Sequence, residues 1–308
     1  MHIATKLLRS QLQLLRPLLT NEPLQLSRHT QDQAGALIKR RLMASYEHVQ
    51  LPGFEASWAM PRDITAPGVI LYLHGGGYVA GRIKYAEGFG SILAARTGLR
   101  TFCAAYRLAP EYPFPAALED AAAAYRHLLD IGVPAQRIIL AGESAGGGLC
   151  FCLCLWLKQQ GLPQPCGIIA ISPWTDLTLQ GSSIRENEEG DPLLTLEQLE
   201  FFVKCYAQEQ DVLNPLISPA YGELCGLPDS LIFAGGDELL LSDARLLQEK
   251  LELHQVNSHL FVRPEMWHGY ILYGVEEAKE DYAVMTKFIM EKIGDNRSVE
   301  DRSCDEDD

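Results

Sequence analysis

The sequence predicts an α/β protein in which helices cover both faces of a mostly parallel β-sheet. Two observations support this fold class. After Gly68, short apolar runs alternate with longer runs of helical periodicity, and turn residues bound the apolar runs. Strands that are apolar throughout are typical of parallel sheets lying between two helical layers. A chain of 308 residues is long enough for one large core with a smaller lid.

The first 42 residues have no strand character. Their leucines form a broad apolar face that is interrupted at Pro17, and Ala34–Leu42 is a second short helix candidate. We therefore expect residues 1–42 to be a helical arm that forms part of a lid. A helix lying on a membrane surface is the alternative, and the small number of basic residues disfavours it.

Eight segments of the remaining chain have strand character. Two of them alternate polar and apolar residues around Pro52-Gly53, which predicts a hairpin. The strands are predicted at Tyr46–Leu51, Glu55–Met60, Val69–Leu73, Leu99–Ala105, Ile138–Ala141, Gly167–Ile171, Leu231–Ala234 and His259–Val262. Helices are predicted at Tyr85–Thr97, Ala116–Ile131, Leu149–Gln159, Ala244–Leu253 and Ala278–Ile293.

One long connection interrupts this alternation. Roughly sixty residues separate the strand that ends near Ser172 from the next strand, an unusual length within a compact domain. Within it, Thr195–Gln198 has the form of a capping box that opens a helix through Tyr206. We expect residues 180–212 to form a helical cap insertion between two parts of the core, 43–179 and 213–294. The acidic segment 295–308 is predicted to be disordered.

Composition and charge exclude several classes of partner. A net charge of −14 at pH 7 repels phosphate backbones and anionic membranes, so we expect neither nucleic acid binding nor stable membrane association. The eight histidines show no metal-ligand spacing, and no metal site is predicted. The eight cysteines include no Cys-x-x-Cys pair and are interpreted as packing residues of a reducing compartment. With no apolar signal region, the N-terminus indicates a cytoplasmic protein.

A Gly-x-Ser-x-Gly motif, Gly142–Gly146, lies between a predicted strand and a predicted helix. In this context the serine occupies a sharp, strained turn, and glycines two residues on either side remove the clashes. The hydroxyl of Ser144 then stands clear of the sheet, near the positive end of the helix dipole. Because the motif is common by chance, a glycine-rich turn without a chemical role is the alternative.

A nucleophilic serine needs a base, and the base needs an orienting acid. Asp237 and His268 each follow a predicted strand, at the sheet edge where Ser144 emerges. His268 would accept the Ser144 proton, and Asp237 would hold the imidazole in the required tautomer. Asp243 is the alternative acid, although its position at the start of a helix favours a capping role.

A glycine-rich segment, His74–Tyr78, directly follows the strand Val69–Leu73. Without side chains, glycine N–H groups can turn toward a bound carbonyl oxygen, so Gly75 and Gly76 are the predicted oxyanion donors together with the Ala145 N–H. A plain glycine loop and a phosphate-binding loop are the alternatives. The Gly-Lys-Ser/Thr sequence of phosphate-binding loops is missing, and the negative net charge also disfavours phosphate.

Seven motifs occur in order between about residues 70 and 270, and several ordered matches are far more specific than one. They are His74–Gly77, Tyr106–Glu111, Pro113–Asp120, Gly142–Gly147, Ser172–Asp176, Asp191–Leu194 and Trp267–Gly269. Together they make the chain resemble the hormone-sensitive-lipase-like group of α/β-hydrolases, which includes bacterial carboxylesterases. Two positions depart from the group's usual pattern. Glu143 precedes the serine where Asp is common, and Asp237-Glu238-Leu239 replaces Asp-Pro-Leu.

The resemblance implies an α/β-hydrolase fold with an eight-stranded sheet and a helical cap over an apolar pocket. It implies a serine carboxylesterase that works through an acyl-enzyme without a cofactor, and we expect short acyl chains because a capped pocket is finite. Hydrolysis of lactones by the same residues is one alternative. A non-catalytic receptor is another, disfavoured because all three triad positions are filled. A homodimer would fit the group. The predicted pocket wall comprises Tyr78, Trp174, Leu193, Phe202 and Tyr270.

Overall fold

A computed structural model of the chain describes residues 1–20, 24–42 and 44–294. Its centre is an eight-stranded sheet with the order β1-β2-β4-β3-β5-β6-β7-β8. The strands are β1 (Ser45–Leu51), β2 (Phe54–Met60), β3 (Val69–Leu73), β4 (Arg100–Ala105), β5 (Ile138–Glu143), β6 (Gly167–Ile171), β7 (Ser230–Gly235) and β8 (Ser258–Arg263). β2 pairs antiparallel with β1 and β4, and the other neighbours are parallel. The predicted fold class is confirmed.

The helices cover both faces and extend across one edge of this sheet. They are α1 (Ile3–Thr20), α2 (Leu24–Leu42), α3 (Ile83–Thr97), α4 (Ala116–Asp130), α5 (Ala145–Gln159), α6 (Ser183–Glu186), α7 (Leu196–Tyr206), α8 (Leu241–Leu253) and α9 (Ala278–Gly294). Short 3₁₀ turns lie at Ala135–Arg137, Pro219–Tyr221 and Tyr270–Tyr273. None of the described helices has the length and apolar character needed to span a membrane.

The two layers follow from the alternation of side chains along the central strands. In β3, Val69, Leu71 and Leu73 enter one apolar cluster, whereas Ile70 and Tyr72 enter a second cluster on the opposite face. All five side chains are fully buried. A strand with buried side chains on both faces lies in the interior of the sheet, which explains its continuous apolar sequence.

Several helix boundaries differ from those predicted, and α1, α2 and α5 differ most in their consequences. α1 continues through Pro17, although a proline inside a helix removes one backbone hydrogen bond. α2 begins at Leu24, well before the predicted start at Ala34. α5 begins at Ala145 rather than Leu149, so its first turn is built largely from glycine. A Cβ on Gly148 would lie 2.0 Å from the Trp174 carbonyl oxygen, so close packing explains this composition.

The insertion after β6 carries the predicted helix α7. Its capping box is complete, because the Thr195 hydroxyl accepts from the Gln198 N–H (3.2 Å) and the Gln198 side chain accepts from the Thr195 N–H (3.1 Å). The predicted boundaries of the arm and insertion remain expectations. The predicted disordered tail, residues 295–308, lies outside the described part of the chain.

Candidate active site

Ser144 occupies the sharp turn between β5 and α5. Its backbone has φ 55° and ψ −123°, a conformation that residues other than glycine rarely adopt. The Ser144 N–H donates to the Ile171 carbonyl, and the Ser144 carbonyl accepts from the Trp174 N–H, both at 2.9 Å. These bonds hold the strained turn against the end of β6 and leave the serine partly exposed at the N-terminus of α5.

Packing requires the glycines on both sides of Ser144. A Cβ on Gly142 would lie 2.4 Å from the Gly146 carbonyl oxygen, and a Cβ on Gly146 would lie 2.0 Å from the Leu73 carbonyl oxygen. Both distances are far inside van der Waals contact, so the turn could not form with side chains at these positions. The motif therefore marks a backbone packed tightly against the end of β3.

His268 and Glu238 meet in the loops that follow β8 and β7. His268 Nδ1 lies 4.0 Å from Glu238 Oε1, and both side chains are buried. Glu238 Oε2 accepts from the Ser172 hydroxyl (2.6 Å) and from the Gly235 N–H (2.9 Å). The Ser172 oxygen accepts in turn from the Gly269 N–H (2.9 Å), so one hydroxyl joins the acid to the residue after the histidine.

The carboxyl group beside the imidazole is Glu238, and the sequence-based choice of Asp237 is wrong on this geometry. The Asp237 carboxylate forms an ion pair with Arg9 of α1 (2.6 Å), and its side chain is 37% exposed. The turn after β7 directs consecutive side chains in opposite directions. Asp237 faces the helical arm, and Glu238 faces the interior beside His268.

Asp243, the alternative acid, supports the backbone after β6 instead. Its Oδ1 accepts from the N–H groups of Thr175 (3.0 Å) and Asp176 (2.8 Å). Burial raises the pKa of Asp243 to about 8. It therefore holds a loop of the site in place and does not orient the imidazole.

Burial controls the protonation of Glu238 and His268. It raises the pKa of Glu238 to about 8, an effect to which the nearby carboxyl groups of Asp191 and Asp243 add. Burial also lowers the pKa of His268 to about 3. Both shifts favour the neutral forms, so the pair resists taking up a second proton as the pH falls.

The glycine-rich segment His74–Tyr78 lies beside the Ser144 turn, because β3 and β5 are neighbours in the sheet. Gly76 has φ +105° and Gly77 has φ +61°, backbone conformations that favour glycine. In the described part of the chain, no protein acceptor is recorded for the N–H of Gly76 or Gly77. The Ala145 N–H opens α5, where no intrahelical acceptor exists. These three groups can bind a developing negative charge.

The Gly75 N–H has a different role from the predicted one. It donates to Glu143 Oε1 (2.6 Å), which makes it a poor candidate for an oxyanion donor. Glu143 also accepts from the hydroxyls of Tyr85 (3.0 Å) and Tyr72 (2.5 Å). Burial raises the pKa of Glu143 to about 7, although these hydrogen bonds oppose the shift. The glutamate that replaces the usual aspartate therefore ties the glycine segment to the residue before the nucleophile.

Three of the five predicted pocket residues lie together beside the glycine segment. The ring centroids of Tyr78 and Trp174 are 6.2 Å apart, and those of Trp174 and Phe202 are 6.4 Å apart. A Cβ on Gly77 would lie 2.3 Å from the Phe202 ring, so α7 packs directly on this segment. Tyr78 and Trp174 are each 1% exposed, so their place in the wall of a substrate pocket stays a prediction.

The other two predicted pocket residues belong to the second apolar cluster. Tyr270 is fully buried there, and its hydroxyl donates to Asp281 of α9 (2.8 Å). Its assignment to the pocket wall is therefore wrong, because the side chain faces α9. Leu193 is partly buried against the same cluster.

Helix α1 contacts the loops that carry Glu238 and His268. Arg9 pairs with Asp237 and donates to the carbonyls of Gly190 (3.0 Å) and Glu265 (2.5 Å). Nearer the N-terminus, the Thr5 hydroxyl donates to the carboxylate of Glu277 (2.6 Å). The arm thus joins the insertion, the loop after β7 and the loop after β8.

Sequence reasoning missed Glu238 and Ser172 as members of the site. The unusual Asp237-Glu238 pair was the available signal for Glu238, but the choice between two adjacent carboxylates depends on the turn. Ser172 carried the weaker signal of following a buried strand. In the described ranges, no group of three His, Cys, Asp or Glu side chains is arranged to hold a metal ion.

The chain is similar to known hydrolases over most of its length. Residues 70–272 match the family model described as the alpha/beta hydrolase fold. An acetyl-hydrolase of Streptomyces hygroscopicus is 39% identical over 218 residues, covering 70% of this chain and 73% of that protein. The crystal structure of EstE5 soaked with p-nitrophenyl butyrate has a TM-score of 0.88 and 33% identity, covering 96% of this chain and all of the other.

A further solved structure specifies the group within this family. It is an esterase from the bacterial hormone-sensitive lipase family, with a TM-score of 0.86 and 32% identity, covering 93% of this chain and 98% of the other. The chain therefore belongs to the α/β-hydrolase fold family, within its bacterial hormone-sensitive-lipase-like group.

Proposed function

We propose that this protein is a serine carboxylesterase that hydrolyses esters of short acyl chains through an acyl-enzyme. One observation carries the proposal: Ser144, the glycine segment and the Glu238–His268 pair each follow a strand of the parallel part of the sheet and so lie along the same edge. The similarity to an acetyl-hydrolase, and to a structure whose crystal was soaked with p-nitrophenyl butyrate, supports the choice of substrate class.

In the proposed reaction, the Ser144 hydroxyl attacks the ester carbonyl carbon while His268 accepts its proton. The N–H groups of Gly76, Gly77 and Ala145 stabilise the negative oxygen of the tetrahedral intermediate. Collapse of this intermediate breaks the bond to the alcohol oxygen, and His268 protonates the leaving alcohol. His268 then removes a proton from water, which attacks the acyl-enzyme and releases the acid. The imidazolium that forms in both steps favours the carboxylate form of Glu238, because an adjacent positive charge lowers the pKa of a carboxyl group, and the carboxylate stabilises the imidazolium in return.

The length of the acyl chain tests the proposed substrate class. We expect kcat/KM for p-nitrophenyl esters to rise from acetate toward hexanoate, by about fourfold per methylene if each contributes about 0.8 kcal/mol. It should fall toward palmitate, because overpacking against Tyr78, Trp174 and Phe202 costs about 1–3 kcal/mol. The panel includes lactones and emulsified lipid, with Ser144→Ala as the blank.

A continued rise to palmitate, or activation by the emulsion, would contradict a closed short-chain pocket. Faster hydrolysis of lactones than of any acyclic ester would assign the same residues to lactone opening. Binding of esters without turnover would indicate a receptor of this fold.

The low pKa of His268 predicts an unusual pH profile. Burial favours the neutral imidazole, so the base should remain active well below the ordinary histidine pKa of about 6.5. We expect kcat/KM at pH 5 to stay within about twofold of its value at pH 7, whereas an unshifted histidine would lose about thirtyfold. The measurement follows butyrate ester hydrolysis from pH 4.5 to 8 with a pH-independent signal. Thermal unfolding at each pH is the control. A thirtyfold loss in folded protein would show that the imidazole is not desolvated.

A further inference from the structure

A buried arginine in the helical arm contacts the backbone around the glycine segment. Arg28 of α2 is 4% exposed. Its Nε donates to the Val79 carbonyl (2.7 Å), and its Nη2 donates to the Ala109 carbonyl (2.8 Å). Nη1 and Nη2 donate to the two carboxylate oxygens of Glu111, at 2.8 and 2.7 Å. The guanidinium fork is thus shared between two backbone carbonyls and one carboxylate.

Both carbonyls belong to backbone that is hydrogen-bonded to the glycine segment. The N–H groups of Val79 and Ala80 donate to the Gly76 carbonyl (3.0 Å each), and the Ala109 N–H donates to the Tyr78 carbonyl (2.9 Å). Arg28 therefore binds both backbone segments that are hydrogen-bonded to residues 76–78, one at Val79 and the other at Ala109. A continuous set of hydrogen bonds runs from the arm to the proposed oxyanion donors.

This support matters because the segment is conformationally unfavourable on its own. Gly76, Gly77 and Tyr78 have consecutive positive φ values of 105°, 61° and 62°. A tyrosine in this region is strained, and a backbone of this kind persists only where its surroundings fix it. The Arg28 contacts lie directly after the strained residues and supply part of that constraint.

We propose that Arg28 is a positioning residue, which aligns the Gly76 and Gly77 N–H groups with the oxyanion through the Val79 and Ala109 carbonyls. The inference rests on the proposed esterase function, because it assumes that these groups bind a tetrahedral intermediate. Through Arg28, the helical arm acts on the rate of the chemical step.

Lysine cannot replace Arg28 in this geometry. An ammonium group is a point charge and cannot present the planar fork that reaches two carbonyls and both oxygens of Glu111 together. The hydrogen bond from Arg28 also lowers the pKa of Glu111 to about 2, so the carboxylate partner stays ionised over the working pH range. Arg28→Lys therefore keeps the charge and removes the alignment.

The test compares Arg28→Lys with Arg107→Lys, a matched control. Arg107 makes a similar fork with Asp120, through Nε (3.0 Å) and Nη2 (2.8 Å), and its side chain donates to no backbone carbonyl in the described contacts. The measurements are kcat and KM for p-nitrophenyl butyrate. The value of kcat is divided by the concentration of active sites, which is determined from the amplitude of the initial burst of p-nitrophenol. The affinity for butylboronic acid, which forms a tetrahedral adduct with the serine, is measured in parallel.

We expect Arg28→Lys to lower kcat by about 10- to 100-fold with KM within about threefold, since the loss falls on the transition state. Boronic acid affinity should fall by a similar factor, and Arg107→Lys should retain both values. Millimolar guanidinium should partly restore kcat in Arg28→Ala. If Arg28→Lys does not fold, Arg28→Gln is measured in the same way.

Unchanged kcat and boronic acid affinity per active site, with only a lower melting temperature, would reduce Arg28 to a structural role and overturn the proposal. A failure of the esterase function itself gives a different result. In that case the wild-type protein would show no burst, or Ser144→Ala would retain turnover.

Discussion

Ser144→Ala is expected to lower kcat for butyrate ester hydrolysis by about 10⁴-fold or more without unfolding the protein, because the members of a triad act as a unit. The described hydrogen bonds that hold the turn use the Ser144 backbone, so an alanine side chain leaves them intact. His268→Ala should cause a loss of similar size.

The combination of these variants tests whether the two residues belong to one catalytic unit. The double variant Ser144→Ala/His268→Ala should be scarcely less active than either single variant, because each one already removes the nucleophilic pathway. Steady-state kinetics, with circular dichroism as the folding control, provide the measurement. Turnover near the wild-type level by folded Ser144→Ala protein would exclude the serine mechanism.

Glu238→Gln should lower kcat by about 10³- to 10⁴-fold, whereas Asp237→Asn should stay within about tenfold of the wild type. The fixed Gly235 N–H needs an acceptor, so the glutamine oxygen must take the position of Oε2. The amide nitrogen then faces His268 Nδ1 and favours the wrong imidazole tautomer.

The two substitutions are matched, because each converts one of two adjacent carboxylates into an amide of nearly the same shape. Asp237→Asn weakens a partly exposed ion pair with Arg9, and pairs at a protein surface contribute about 0.2–1 kcal/mol. Steady-state kcat of both variants, with melting temperatures as the folding control, measures the ranking. The opposite ranking would return the role of the acid to Asp237.

Stability should also separate the two variants. Burial raises the folded-state pKa of Glu238 above its unfolded value, so this carboxyl stabilises the fold below pH 4.5 and loses that contribution as the pH rises through about 8. Glu238→Gln removes the titrating group. The melting temperature of Glu238→Gln minus that of the wild type should therefore be higher at pH 8 than at pH 5, although the variant has lost its activity.

The strands and the turn at Ser144 could be predicted from sequence because their signals are local. The continuous apolar sequence of Val69–Leu73 requires a strand that is buried on both faces. At Gly142 and Gly146, only glycine fits against the neighbouring carbonyl groups. These constraints apply over a few residues, where periodicity and backbone sterics decide the outcome.

The predictions that were wrong concern the direction in which a single side chain or N–H group points. Asp237 and Glu238 are adjacent carboxylates, and only the turn after β7 decides which one faces His268. The Gly75 N–H likewise belongs to the expected segment but donates to Glu143. Tyr270 follows the histidine, yet Asp281 of a distant helix fixes its hydroxyl. Such directions depend on tertiary contacts that no local pattern contains.

The contacts of α1 have a consequence for the order in which this protein matures during synthesis. Arg9 donates to the Glu265 carbonyl across a sequence separation of 256 residues. The helix therefore leaves the ribosome long before the loops to which it binds, and it cannot dock until those loops have been translated. The second apolar cluster also extends to Ile293, and Leu8 and Leu12 of α1 pack against it. Because the sheet and α1 both need these late residues, neither can be completed until nearly all of the described chain has been made.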